Sequence, residues 1–153
     1  METGSLWISV ARAIAFGAAI SGTAAGVGRW CGDLATLAPR NVPFRPPAPV
    51  FAIVWPCLYV TTGAAWMVAG ATVDVPLAVV TLLCCAWLVL YVCLRKRVLA
   101  AASLALTAVI VVALAVHLCG PPRALLTPLG AWTAFAFYLN AYEVLADGRT
   151  GRR

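Results

Sequence analysis

From Val50 to Leu118 the only Asp, Glu, Lys or Arg side chains are Asp74 and the triplet Arg95, Lys96 and Arg97. A water-soluble domain carries charge on roughly a quarter of its residues. Here the whole 153-residue chain is 10% charged and 63% hydrophobic, with a mean hydropathy of +0.96. A core cannot absorb that excess, so the chain belongs in a bilayer. One crossing takes about 20 apolar residues, which leaves room for five crossings and short connections. The expected fold is an all-α membrane protein, a five-transmembrane-helix bundle forming one domain.

The punctuation of the apolar runs sets the expected helices at Leu6 to Gly28, Val50 to Gly70, Val75 to Leu94, Val98 to Leu118 and Ala124 to Ala146. Gly120, Pro121 and Pro122 stop the fourth. The first lacks the basic flank and cleavage pattern of a signal peptide, so it reads as a retained helix. Its Arg12, about two turns from the start, is expected to snorkel to the near interface. Gly22 and Gly26 offer a small-residue surface to another helix. Residues Arg29 to Pro49 form the longest polar connection.

Orientation follows from Lys and Arg. The first loop carries Arg29, Arg40 and Arg45, the third Arg95, Lys96 and Arg97, and the tail Arg149, Arg152 and Arg153, whereas the opposite side has only Arg123. The positive-inside rule then places the first loop, the third loop and the C-terminus in the cytosol. The net charge of +6 is explained by topology and is scattered over separate loops. No compact basic face for a nucleic acid results.

Chemistry-bearing residues are few. His117 is the sole histidine, and no segment carries paired carboxylates, so metal sites and general acid-base catalysis lack their usual parts. The six cysteines show no metal or redox spacing and read as small apolar side chains, with no disulfide expected; Cys31 and Cys119 near segment ends could pair only if geometry allowed. Asn140 and Glu143 share a face of the fifth segment, where buried polar groups must find partners. Asn140 is expected to bond another helix and Glu143 to reach the cytosolic interface.

The junction from Arg45 to Gly63 is the most distinctive stretch. Pro46, Pro47 and Pro49 stiffen the entry to a helix, and Phe51, Trp55 and Tyr59 follow at spacings of four along one face. Pro56 should bend that helix, with Thr61 and Thr62 satisfying the freed carbonyls. Trp55 and Trp87 lie about two turns from the cytosolic ends of their segments, and Trp132 lies deeper. Belt tryptophans normally occupy segment ends. Facing inward, these rings would line a slot for a planar hydrophobic molecule under the proline-rich loop; facing lipid or one another, they would only pack.

The run Pro46 to Tyr59, P-P-x-x-V-F-x-x-V-W-x-x-L-Y, resembles the second-helix signature of the translocator protein family, also called tryptophan-rich sensory proteins or peripheral-type benzodiazepine receptors. Leu125 to Asn140 is similar to that family's fifth helix, and Trp30, Leu34 and Pro39 to its loop motif. The resemblance implies a five-helix bundle, commonly a homodimer, in the outer mitochondrial membrane of animals or a bacterial membrane. It implies a pocket for porphyrin or haem-type tetrapyrroles, sterols, and isoquinoline-carboxamide or benzodiazepine ligands, with no cofactor required. By position Phe51, Ala52, Trp55, Trp132, Ala136, Leu139 and Asn140 should line that pocket, with Trp87 as a further wall and Pro46 and Pro47 as its cap. Trp55 and Trp132 match the tryptophans tied to photo-oxidative porphyrin breakdown in some bacterial members, the enzymatic alternative to a sensor, carrier or scavenger. A ligand-free structural role is the other alternative. A sterol motif is met by Val89, Tyr91 and Arg95, and imperfectly by Leu139 and Tyr142. The chain departs from the family pattern at Cys31, Cys84 and Leu129, where polar residues are usual.

The charge count has a direct consequence: a protease applied from the cytosolic face should cut the tail after Arg149 in sealed vesicles. Protection of the tail would reverse the orientation.

Overall fold

The computed structural model describes residues 3–32 and 42–150. Its elements are all helical: α1 (Thr3–Cys31), α2 (Ala48–Ala69), α3 (Asp74–Leu88), α4 (Arg97–His117) and α5 (Pro121–Thr150). A 3-10 turn, Gly70–Val73, joins α2 to α3, and a π turn, Val89–Cys93, continues α3. The loop residues Leu34, Pro39 and Arg40, and the terminal Arg152 and Arg153, lie outside the described residues.

Length and apolarity suffice for a membrane crossing in Val10–Cys31, Ala48–Cys93 and Arg97–His117. The second stretch is 46 residues long and contains both α2 and α3. The remaining helix, α5, carries Pro128, Asn140 and Glu143 in its interior, which lowers its apolar character.

The helix ends follow local chemistry. Pro47 is the N-cap of α2 at φ −57° and ψ 149°, and Pro49 falls in the first turn, where its missing N–H costs no intrahelical bond. At the other end Gly70, at φ 69°, donates its N–H to the Trp66 carbonyl. That left-handed conformation suits glycine. The chain leaves α3 in the same way without one: Arg95 has φ 52°, and Lys96 N–H reaches back to Leu90 O at 2.8 Å.

α2 continues through Pro56 without interruption. Thr61 donates to Leu58 O at 3.2 Å, while Thr62 Oγ1 has no partner among the described residues. Neither threonine therefore reaches the carbonyl of Ala52 that Pro56 leaves without its helical donor, contrary to expectation.

The core is built from one face of each helix. On α4 this face is Ala100, Leu104, Thr107 and Val111; on α5 it is Leu126, Leu129, Thr133, Ala136, Leu139 and Glu143. α4 packs most extensively on α5, α1 on α2, and α3 on α4. Thr107 and Thr133 return their hydroxyls to their own helices, donating to Ser103 O and Leu129 O at 2.8 Å. Polar groups can thereby face a dry interior. The outer faces are valine and leucine, as at Val60, Leu82, Val109 and Val116.

Two expectations are corrected, for Arg12 and for Cys31 with Cys93, and a third, at Gly22 and Gly26, finds no contact within the described residues. Arg12 does not simply snorkel: it forms an ion pair with Asp74, whose other carboxylate oxygen accepts the Trp66 indole N–H at 2.7 Å. Among the described residues Gly22 and Gly26 meet no helix, since a Cβ at either would touch nothing within 4 Å. Close approach occurs at Gly63, where a Cβ would lie 3.0 Å from Ala13 Cβ, and at Gly130, 3.3 Å from Val111. Finally, Cys31 and Cys93 form a disulfide with Cα atoms 5.0 Å apart. α1 runs three residues beyond Gly28, which carries Cys31 level with the end of the π turn. The apolar surroundings of Cys93 had suggested a thiol packed as a hydrophobe; the helix ends bring it a partner instead. Under the charge-derived orientation this bond faces the compartment where thiols are kept reduced, so its state in cells is a measurable quantity.

Two measurements check this packing. Denatured but unreduced protein should take up four alkylating groups and reduced protein six, matching four free cysteines among six; six without reductant would remove the cross-link. Gly63→Val should destabilise the bundle by about 1–3 kcal/mol through overpacking, seen as a lower apparent Tm in detergent, whereas Gly22→Ala should leave it unchanged.

Candidate functional site: an aromatic cavity

A cavity of about 510 Å³ opens between α1, α2, α3 and α5. This is within the usual range for small-molecule sites, roughly 300–1,000 Å³. Stiff entry to α2 places Phe51 one turn into the helix, and Trp55 and Tyr59 follow on the same face. Trp55 stacks on Trp87 of α3 with centroids 5.8 Å apart and planes at 28°. Tyr91, one turn beyond Trp87, continues the wall at 5.9 Å. From α5, Trp132 meets Phe51 at 5.5 Å and Trp55 at 6.5 Å, edge-on to the latter at 88°. Such offset and edge contacts suit the ring quadrupoles and fix the rings against rotation.

Of the residues expected from sequence, Pro46, Phe51, Ala52, Trp55, Trp87, Ala136, Leu139 and Asn140 line the cavity. Pro47 is exposed at the helix cap, and Trp132 stands behind Phe51 and Trp55 instead of on the wall. The sterol-motif residues do not share one surface: Tyr91 is buried against the cavity, while Val89 and Arg95 are exposed. Leu139 likewise faces inward and Tyr142 outward.

Sequence reasoning missed the share of the wall supplied by α1, from Ile20 to Gly28, and the contributions of Arg45, Tyr59 and Cys84. The i, i+4 spacing of Tyr59 from Trp55 and of Tyr91 from Trp87 was the available signal for the two tyrosines. For α1, small residues at Ala24 and Gly28 give no chemical signal at all.

Trp87 Nε1 and Asn140 Oδ1 are buried and lack a hydrogen-bond partner among the described residues. Asn140 Nδ2 donates to Ala136 O at 3.3 Å, which turns the amide oxygen away from its own helix. Asn140 thus bonds its own helix rather than another, and both unpartnered atoms belong to residues of the cavity wall while being shielded from it. An unpaired buried polar group costs about 1–3 kcal/mol. At the mouth, Glu143 does not reach the interface: it is 1% exposed, accepts Arg45 Nη1 at 2.9 Å, and accepts the Tyr91 hydroxyl at 2.7 and 3.0 Å. Among the described residues no group of three or more His, Cys, Asp or Glu side chains could hold a metal ion.

A bundle of apolar helices enclosing an aromatic cavity with a few aimed polar atoms defines an integral membrane protein of ligand-binding or sensing type. The chain matches the TspO/MBR family over residues 6–145 and belongs to it. No individually curated protein matches the chain.

Proposed function

We propose that the protein binds flat, largely apolar molecules in the cavity between α1, α2, α3 and α5, acting as a sensor, carrier or scavenger. The observation that carries this reading is the wall of stacked Trp55 and Trp87 rings on a cavity of about 510 Å³. Stacked rings offer a flat apolar surface to a planar π system. Porphyrin or haem-type tetrapyrroles suit such a wall, and sterols or isoquinoline-carboxamides suit it in part. The same reading has five crossings, a cytosolic C-terminus, a homodimer, and residence in an outer mitochondrial or bacterial membrane. The edge contact of Trp55 with Trp132 favours a second reading, light-driven oxidation of a bound porphyrin by this indole pair.

Titrating purified protein in micelles with protoporphyrin IX, followed by quenching of Trp fluorescence, tests both. Trp55→Leu should weaken saturable binding about tenfold or more, the equivalent of ~1.4 kcal/mol, while His117→Ala should not. Equal affinity in wild type and Trp55→Leu would defeat the cavity as the site. Loss of the porphyrin absorption band under light, abolished by either Trp55→Phe or Trp132→Phe, would establish the enzymatic reading.

A further inference from the structure

Arg45 is the one charged residue among the described residues that line the cavity. Its Nη1 lies 2.9 Å from Glu143 Oε1, across 98 positions of sequence. The Glu143 side chain is fully shielded from solvent and lines no part of the cavity. Tyr91, which does line it, donates its hydroxyl to the same carboxylate. A guanidinium on a ligand-facing wall is thus backed directly by an opposite charge.

We propose that Glu143 determines the charge selectivity of the cavity: by neutralising Arg45 from behind, it makes this wall favour uncharged planar ligands over those carrying a carboxylate there. The inference rests on the cavity being the ligand site. A carboxylate brought to this wall must shed water, and that cost is recovered only by a strong, uncompensated partner. The field of Arg45 is largely cancelled by Glu143 at hydrogen-bond distance, and Glu143 itself repels the incoming anion. An uncharged ester or sterol gives up no ionic hydration. The preferred class is therefore a planar or ring-fused molecule whose end at Arg45 is neutral, with any acid groups directed elsewhere.

Selectivity separates this role from a purely structural one, because damage to the bundle weakens all ligands together. Protoporphyrin IX and its dimethyl ester are titrated into the full chain in nonionic micelles, for wild type, Glu143→Gln, Arg45→Gln and the double variant. Glutamine keeps the length of the side chain and an acceptor for Tyr91. In Glu143→Gln the preference should move toward the diacid by about tenfold or more, the scale of one charge at close range in a partly screened site. Arg45→Gln should move it the other way, and the double variant should return near wild type. A parallel fall in both affinities, or an unchanged ratio, overturns the proposal. If Glu143→Gln is not recovered folded, the step from Arg45→Gln to the double variant must still favour the diacid.

Iodide and acrylamide quenching reads the same potential with no ligand, in a background where the exposed Trp7 and Trp30 are replaced by Phe. Glu143→Gln should raise iodide quenching relative to acrylamide, and an unchanged ratio counts against the proposal. Wild type that binds neither porphyrin would strike the proposed function, leaving the iodide ratio to decide the role of Glu143.

Discussion

A carboxylate withdrawn from water costs several kcal/mol even after the surroundings relax, and one end of this bundle is arranged around meeting that cost at Glu143. Its partners come from two other parts of the chain: Arg45 from the loop before α2, and Tyr91 from the π turn of α3. Because both partners also line the cavity, satisfying Glu143 fixes the loop end and one aromatic wall in the same stroke. The opposite end repeats the device with Asp74, held between Arg12 of α1 and Trp66 of α2. Few charges are present, and these two carboxylates are used to tie helices together at both ends. Between them the interior is left to apolar and aromatic packing.

That division explains how a cavity survives in a bundle that would otherwise close up. Protein interiors pack densely unless something rigid prevents collapse. Here the large rings of Phe51, Trp55, Trp87, Tyr91 and Trp132 brace one another across α2, α3 and α5, while small residues, Ala24, Gly28, Ala52 and Ala136, face the space enclosed. The disulfide from Cys31 to Cys93 joins α1 to the end of the same π turn that carries Tyr91. The first loop is therefore anchored beside that turn at both of its ends, covalently at Cys31 and ionically at Arg45.

Legibility in the sequence tracked the range of the interaction. The helices and the aromatic face of α2 were readable because apolar runs and i, i+4 spacing are local properties. Depth set Trp55 and Trp87 apart from belt tryptophans but left their facing open, and it was the resemblance to a family that pointed them inward. Contacts across the chain were not: nothing local announces that Arg45 will find Glu143 98 positions away, or that Cys93 will face Cys31 at a separation of 62. The orientation argument had put both cysteines at the same end of their segments, so their proximity was permitted, but a thiol amid Val and Leu is equally well explained as packing. Gly22 and Gly26 show the converse limit of local pattern. A small-residue pair names a surface that could be approached closely without naming what approaches it, and among the described residues the close approaches are made at Gly63 and Gly130.

The three departures from the family pattern have unequal consequences once placed in the fold. Leu129 is buried in the core beneath Thr133, whose hydroxyl it receives at its carbonyl, and it lines no part of the cavity. An apolar side chain there serves packing and bears on ligand choice only indirectly. Cys31 has become half of a cross-link at the mouth, so its effect is on how firmly α1 holds to α3. Of the three, Cys84 alone lines the cavity, one turn before Trp87. A thiol there is a weak hydrogen-bond partner compared with an amide, so this departure makes its part of the wall less polar. On the proposed reading, telling one planar molecule from another therefore falls to ring stacking and to the balance of charge at Arg45.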